Sequence, residues 1–194
     1  MNHDEHEIDD RLPPQSIDAE MCLLGSMMLD RDVALECLTI LDTDSFYLTD
    51  HAIIFDAIKG LLLAQKPIDA IVLKDELKRG DLLGRVGGTA YISQILATVP
   101  SAAHAVEYAT RVKEKALRRS LINLADKATR RAYSGDEDAG QLIAEVQQSL
   151  TQLVSSAASE QVMTLGDIVA RTVADLRNPG ARDFVSYGFK SIDA

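Results

Sequence analysis

The chain has 194 residues, of which 46% are hydrophobic and only 5% are aromatic, so its core must be largely aliphatic. Its formal charge is −10, from 30 acidic and 20 basic residues, which argues against a protein that binds naked nucleic acid over its whole surface. The excess acid lies in one half, because residues 1–103 carry 18 acidic and 8 basic side chains whereas residues 104–194 carry 12 of each.

Composition also excludes several other classes of protein. No apolar run approaches the roughly 18 residues that a membrane span needs, and the acidic, polar start is unlike a signal peptide. Cys22 and Cys37 give neither a disulfide framework nor the spacing of a zinc site. Both lie in helical patterns beside apolar residues, which predicts buried free thiols in a reducing cytosol. We therefore expect a cytoplasmic protein.

The first hundred residues predict a short tail followed by a helical head. Residues 1–13 are charged and aperiodic, as in a disordered acidic tail. Residues 14–100 show apolar positions at helical spacing, interrupted by proline and glycine, and predict about five short helices. The expected spans are 17–29, 32–41, 50–65, 70–79 and 89–98. The expected N-caps are Ser16, Thr49 and Asp69, and Gly80 is the expected stop.

Residues 101–156 predict a long antiparallel helical hairpin. The stretch from about 102 to 134 has no proline or glycine, and its apolar residues recur every three or four positions. A turn follows, and then a second long helix over about 138–156. Its apolar stripe, which closes the hairpin or pairs it with a second copy, consists of Leu142, Val146, Leu150 and Leu153. Such a hairpin has more apolar surface than its own pairing uses, so we expect self-association.

The first long helix is strongly basic. Residues 104–134 hold 8 of the chain's 20 basic residues against three acids. One interpretation is a face for an acidic partner, formed by Arg111, Lys115, Arg118 and Arg119. The other is an ordinary solvated helix face with i,i+4 pairs such as Glu114–Arg118. Because no aromatic residues interleave with the basic ones, base stacking on DNA is disfavoured.

The last part of the chain predicts a linker and a further domain. Residues 157–183 begin with small polar side chains typical of a linker and contain a short amphipathic helix over 164–177. An isolated helix of that length is marginal in water, so we expect it to dock on a surface outside this domain. Its docking face would be Leu165, Ile168, Val169 and Leu176. Residues 184–194 favour β-structure and stop abruptly, which predicts that another domain follows.

No pattern in the chain predicts catalysis, a metal site or a bound cofactor. The glycine-rich run from Gly84 to Thr89 lacks the lysine of a phosphate-binding loop and follows no predicted strand. The four histidines do not pair at metal-ligand spacing, and no serine lies in a nucleophile elbow. Since His51 and His104 lie at or near first helical turns, surface or capping roles are expected for both.

Short motifs follow one another in a fixed order over residues 12–193. They are the Pro-flanked start with Ala19-Glu-x-x-x-Leu-Gly25, Phe46-Tyr47 with His51-x-x-Ile54-Phe55, Ile68-Asp69 through Leu73, Val86-Gly-Gly-Thr-Ala-Tyr-Ile92, Pro100-Ser-Ala-Ala-His104, Tyr108-Ala-x-x-Val112, Arg118-Arg-x-Leu-Ile122 and Gly188-Phe-Lys-Ser-Ile-Asp193. In this order the motifs resemble the DnaB-type replicative DNA helicases. The chain departs from the family pattern at Val72, His104, Tyr187 and Ile192.

This resemblance implies a specific architecture and role. Members of the family are hexameric rings that unwind duplex DNA 5′→3′ with ATP and Mg²⁺. Their N-terminal domain is a helical head with a hairpin, and the hairpins pair in a collar that docks primase and, in many cases, a loader. The linker helix would pack on the neighbouring subunit's motor domain. The RecA-like motor, which holds ATP and Mg²⁺, would start at 184–194 and continue beyond Ala194, so DNA would be bound by the full-length ring and little by this chain alone.

A second hypothesis stays open at this stage. A self-contained helical adaptor, such as the helicase-binding domain of a primase or a helicase loader, is also a helical head with a hairpin. The gene beyond residue 194 distinguishes the two hypotheses, because a phosphate-binding loop there indicates the helicase and a stop codon indicates the adaptor.

Overall fold

The computed structural model describes residues 12–99, 101–135 and 137–158, and over these residues it contains helices and no strand. The helices are α1 (Ile17–Leu29), α2 (Arg31–Ile40), α3 (Thr49–Leu63), α4 (Ala70–Arg79), α5 (Gly88–Thr98), α6 (Ala105–Ser134) and α7 (Ala139–Ala158), with 3₁₀ turns at Thr43–Ser45 and Ala102–His104. The predicted all-α fold, a head of five short helices with a long hairpin, is confirmed. Nearly all of the predicted tail, and the predicted docking helix and motor start, lie outside the described residues.

Local capping explains where two of the head helices begin. The Asp69 carboxylate accepts the N–H groups of Ile71 and Val72 at 2.8 and 2.9 Å, which confirms the predicted start of α4. Asp30 caps α2 in the same way, so that helix begins one residue earlier than its apolar pattern indicated. Ser16 occupies the N-cap position of α1 and the helix begins at Ile17, as predicted, but the Ser16 side chain makes no capping hydrogen bond.

The start of α3 is fixed by a side chain from another helix. Thr49 is the first residue of α3 and not its N-cap, so the prediction for Thr49 is wrong. The N–H groups of Tyr47 and Leu48 donate to the Glu20 carboxylate of α1, at 2.8 and 3.5 Å. This carboxylate comes from 27 residues away in sequence and holds the backbone of the two residues that lead into α3, while the first N–H groups of the helix itself receive no side-chain cap.

The core of the head is built around α1, which packs on α2, α3, α5 and α6. Leu23, Leu24 and Met27 are fully buried on α1. At Gly25 a Cβ atom would lie 2.8 Å from the Ile95 carbonyl oxygen and 2.8 Å from Val99 Cγ2 of the neighbouring α5 segment. Only glycine allows this close approach between the two segments, because an added methyl group has nowhere to go.

Helix α6 joins the head to the hairpin. Its first half buries Ala105, Ala109, Val112 and Ala116 at helical spacing, and all but Ala116 belong to the main core cluster. None of the described residues of α6 after Ala116 is fully buried, and there α7 packs alongside it. The base of the hairpin is therefore part of the head, and the rest of it projects as a two-helix arm.

Candidate interaction surfaces

The two arm helices meet along a line of half-buried residues on α7. These recur at alternating steps of four and three, which is the spacing of a coiled-coil contact, and they are Leu142, Val146, Ser149, Leu153 and Ser156. Leu153 and Ser156 line a small cavity of about 230 Å³ together with Leu117 of α6. Three of the four residues predicted to close or pair the hairpin thus face α6. The fourth, Leu150, is 41% exposed and lies beside this line.

Charged side chains fix the tip of the hairpin. Arg131 of α6 donates from Nε to Glu137 Oε1 at 2.6 Å and contacts Glu145 Oε2 of α7 at 2.8 Å. Hydrogen bonds to Glu137 and then Glu145 raise the pKa of the Arg131 guanidinium above its ordinary value. The hydrogen bond from Arg131 lowers the pKa of the Glu137 carboxyl. These contacts join the last turn of α6 to the first turns of α7 and so set the register of the pair.

An apolar surface remains uncovered along one side of the arm. In an antiparallel helix pair, consider the residues that lie about 60–120° around each helix axis from the contact line. When the angle is counted in the direction of the sequence on both helices, these residues fall on the same side of the pair. The exposed apolar residues on this side include Leu121, Ala125 and Ala132 of α6 and Ile143, Leu150 and Val154 of α7, and we call these six the hairpin apolar face. Ile143 and Val154 are 66% and 67% exposed. The opposite flank of α7 carries Gln141, Gln148 and Gln152, so the arm is amphipathic beyond its own pairing.

The four basic residues of the predicted partner face do not form one uniform surface. Arg111 pairs with Glu107 at 3.6 Å, and Arg118 pairs with Glu114, both at i,i+4 spacing on exposed helix. Together with the half-buried Lys115 they share one side of α6, since their spacing is four and three. This geometry allows the solvated-face interpretation and also leaves three cations in one line. Binding of an acidic partner there stays a prediction.

Arg119 faces the head. Its guanidinium donates to the Pro14 carbonyl at 2.8 Å and to the Ser45 carbonyl at 2.7 Å. It also lies over the Tyr47 ring, with 5.7 Å between the guanidinium carbon and the ring centroid. A single side chain thus joins α6 to the segment before α1 and to the turn before α3, and both of its terminal nitrogens donate within the chain.

The structure also shows a buried polar cluster that the sequence did not predict. His51 is fully buried, so the surface or capping role expected for it is wrong. Its Nδ1 lies 2.7 Å from Glu20 Oε2, and its Nε2 lies 2.7 Å from the Tyr91 hydroxyl. Burial, with the nearby Asp50 and Glu20 carboxylates, raises the pKa of the Tyr91 hydroxyl. These hydrogen bonds join α1, α3 and α5 inside the head, which is a structural role.

Three sequence motifs meet in this cluster. Glu20 belongs to the Ala-Glu start, His51 to the His-x-x-Ile-Phe motif, and Tyr91 to the Val-Gly-Gly motif. Gly87 has φ +81°, a value that favours glycine, and its position for a Cβ lies 2.9 Å from Tyr91 Cβ. A histidine that precedes isoleucine and phenylalanine by three and four residues, and so shares their helix face, was the available sequence signal for burial.

The remaining sequence predictions concern a metal site, a membrane span and the docking face of the linker helix. No three His, Cys, Asp or Glu side chains come together there as a metal site would require. The helices of that part of the chain include none with the length and apolar character of a membrane span. The predicted docking face of the linker helix, with Leu165, Ile168, Val169 and Leu176, lies outside the described residues.

Residues 12–114 match the protein family described as "DnaB-like helicase N terminal domain". The replicative DNA helicase DnaB of Mycobacterium leprae is 34% identical over 189 residues, which cover 94% of this chain and 31% of that protein. The replicative DNA helicase DnaC of Bacillus subtilis is 30% identical over 190 residues, covering 96% of this chain and 42% of that protein. The chain therefore spans about a third to two-fifths of these relatives.

Solved structures give the same relationship at the level of the fold. The N-terminal domain of DnaB helicase from Mycobacterium tuberculosis superposes with a TM-score of 0.70 at 35% identity, covering 73% of this chain and 99% of that one. The corresponding domain from Helicobacter pylori gives a TM-score of 0.53 at 19% identity, covering 60% of this chain and 90% of that one, which shows the fold alone.

Proposed function

This chain belongs to the DnaB-like helicase N-terminal domain family, and we propose that it forms the collar and linker of a hexameric replicative DNA helicase in a cytoplasmic replisome. The whole protein would unwind duplex DNA 5′→3′, with ATP and Mg²⁺ held in a motor domain that is not part of these residues. The relatives support this proposal, because each is a replicative helicase of which this chain matches only 31% or 42%. The residues of this chain would serve assembly and docking.

The hairpin apolar face is the observation that carries the proposed role in assembly. Isolated apolar side chains on a surface are ordinary, but here they are aligned on both helices of a projecting arm. Two copies related by a two-fold axis would place the same face of each arm against the other, as an isologous contact requires. We therefore assign Leu150, with Ile143 and Val154, to contact between copies, while Leu142, Val146 and Leu153 close each hairpin.

Primase and a helicase loader are the proposed docking partners of this collar. The Helicobacter pylori domain and a second DnaB-like replicative helicase are both described with their interactions with primase. On this chain we propose the line of Arg111, Lys115 and Arg118 as the partner face, with Arg119 supporting it from the head side. The linker helix, through Leu165, Ile168, Val169 and Leu176, would dock on the motor domain of a neighbouring subunit.

Sedimentation of the purified chain tests the proposed role in assembly. The expected result is a dimer or larger species at micromolar concentration, because the apolar face is buried only between copies. A strict monomer at high micromolar concentration would contradict the proposed pairing. The chain alone is also expected to hydrolyse no ATP, and hydrolysis by it would contradict the assignment of catalysis to a separate motor.

The adaptor hypothesis is tested separately by the gene. A coding sequence that continues beyond residue 194 into a G-x-x-x-x-G-K-[ST] motif supports the helicase. A stop codon at that point would favour an adaptor with the same head and hairpin.

A further inference from the structure

A groove lies at the base of the head, away from the hairpin apolar face. It runs between the junction of α1 and α2 on one side and the start of α6 on the other, with a volume of about 560 Å³. Leu29, Val33, Ala103 and Val106 supply its apolar lining. This volume is within the range of pockets that hold several side chains of a ligand or peptide.

The apolar lining of this groove is accessible to solvent. Leu29 is 50% exposed and Val106 is 38% exposed, whereas Ala34, the neighbour of Val33 on α2, is fully buried in the core. The groove therefore presents hydrophobic surface that the head itself leaves uncovered. None of its lining residues belongs to the hairpin apolar face, so pairing of two arms does not require it.

Among the described residues, the charged side chains that line the groove have one sign. They are Asp30 and Glu36, and no lysine or arginine of this part of the chain contributes to the lining. Arg31, which lies between the two acids in sequence, donates to the Lys66 carbonyl at 2.9 Å, and Arg111 of α6 pairs with Glu107. The nearby guanidinium groups thus have their own partners. A ligand that brings apolar side chains and positive charge would complement both properties.

We propose that this groove is a docking site for a cationic amphipathic helix of another protein. A helix of this kind inserts apolar side chains, three or four residues apart, between Leu29, Val33 and Val106. Its lysine or arginine side chains then lie beside Asp30 and Glu36. The occupant is a different protein, since a second copy of this chain carries the same net charge of −10 and is poorly matched to an acidic groove.

Titration with two synthetic helical peptides tests the groove directly. One peptide has leucines on one face and lysines on the other, and its matched partner has glutamate in place of every lysine. The lysine peptide is expected to shift the ¹H–¹⁵N signals of Leu29, Val33 and Val106 in the labelled chain, while the glutamate peptide leaves them unchanged. Equal binding of both peptides, binding centred on Ile143 and Val154, or no saturable binding up to millimolar concentration would overturn the proposal.

Two charge-reversal variants distinguish the effect of charge in the groove from the effect of the net charge of the chain. Glu36→Lys places a cation in the groove and is expected to weaken binding of the lysine peptide at least about fivefold. Asp75→Lys makes the same change of charge at an exposed position on α4 outside the groove and is expected to leave binding within about twofold. Equal weakening by both variants would overturn the proposal, as would groove signals that shift with protein concentration alone, because a second copy would then be the occupant.

Discussion

Glu20 Oε2 lies 2.7 Å from His51 Nδ1, and the two residues are 1% and 0% exposed. They are 31 residues apart in sequence, and the same carboxylate accepts the Tyr47 N–H before α3. Through the Tyr91 hydroxyl on the other side of the imidazole, one chain of hydrogen bonds joins α1, α3 and α5. Breaking it leaves buried polar groups without partners, which costs more free energy than the bond itself contributes.

Removal of the central imidazole is the most damaging change to this cluster. His51→Ala takes one hydrogen-bond partner from the Glu20 carboxylate and one from the Tyr91 hydroxyl and leaves a cavity in the core, so we expect the free energy of unfolding to fall by about 3 kcal/mol. Tyr91→Phe removes one hydroxyl and should cost about 1 kcal/mol. Urea denaturation measures both, with Tyr108→Phe as the control for loss of a hydroxyl outside the cluster. An unfolding midpoint of His51→Ala equal to that of the unmodified chain would contradict the structural role.

Two glycine-to-alanine substitutions are expected to change the free energy of unfolding in opposite directions. Gly25→Ala forces a methyl group against Ile95 and Val99, and we expect a loss of about 1–3 kcal/mol. Gly60→Ala, at an exposed position in the last turn of α3, meets nothing within 4 Å and should gain about 0.5–1 kcal/mol from helix propensity. Thermal unfolding of the two variants checks the pair. If both lowered the midpoint alike, the close approach of α1 and α5 would not be the cause.

Adjacent arginines on α6 are expected to differ sharply. Arg119→Ala removes hydrogen bonds to the Pro14 and Ser45 carbonyls and the contact with the Tyr47 ring, so a loss of about 2 kcal/mol is expected. Arg118→Ala removes only an exposed i,i+4 pair, worth about 0.3–0.5 kcal/mol. Chemical denaturation of both variants measures the difference. Similar losses from the two changes would rule out the role of Arg119 in joining the hairpin to the head.

Cys37 should be protected from thiol reagents in the folded chain. Burial, and then the nearby Glu36, raises the pKa of its thiol to about 12, whereas Cys22 is only half-buried. Because the folded pKa lies above the unfolded value of 9.0, the stability contributed by the neutral thiol is complete below pH 9.0 and is lost as pH rises toward about 12. Iodoacetamide labelling at pH 8, followed by mass spectrometry, should modify Cys22 first. Faster labelling of Cys37 would contradict its burial.

Much of the fold could be predicted from local pattern. Asp69 begins α4 because an aspartate before an apolar repeat is a cap that acts on its own backbone neighbourhood. The uninterrupted apolar repeat of α6 likewise predicted a helix that extends beyond a small head. These features depend on residues within one or two turns of each other, so a single sequence is sufficient to read them.

Features set by distant residues could not be predicted in the same way. Thr49 looked like a cap, but the backbone just before this helix is held by Glu20, and nothing near Thr49 in sequence indicates it. Arg119 looked like part of a solvated basic face, yet its partners are carbonyl groups 105 and 74 residues away. In both cases a charged side chain makes hydrogen bonds with backbone groups that come close to it only after the head has folded.

The apolar stripe of α7 could pack on α6 or contact a second copy, and the sequence did not indicate which of its residues does which. Leu142, Val146 and Leu153 face α6, while Leu150 turns outward beside Ile143, a residue that the predicted stripe did not include. The distinction depends on the rotation of α7 about its axis. Arg131 and Glu145 contribute to that rotation, because their ion pair fixes which side of α7 meets α6.

Sedimentation velocity of two matched double variants is the most direct test of assembly through the hairpin apolar face. Ile143→Asp with Leu150→Asp places two charges on this face, whereas Gln141→Asp with Gln148→Asp places the same residues on the polar flank of the same helix. With helicity unchanged by circular dichroism, the first pair is expected to sediment as a monomer and the second as the dimer or larger species of the unmodified chain. Unchanged association of the Ile143 and Leu150 variant would contradict the account.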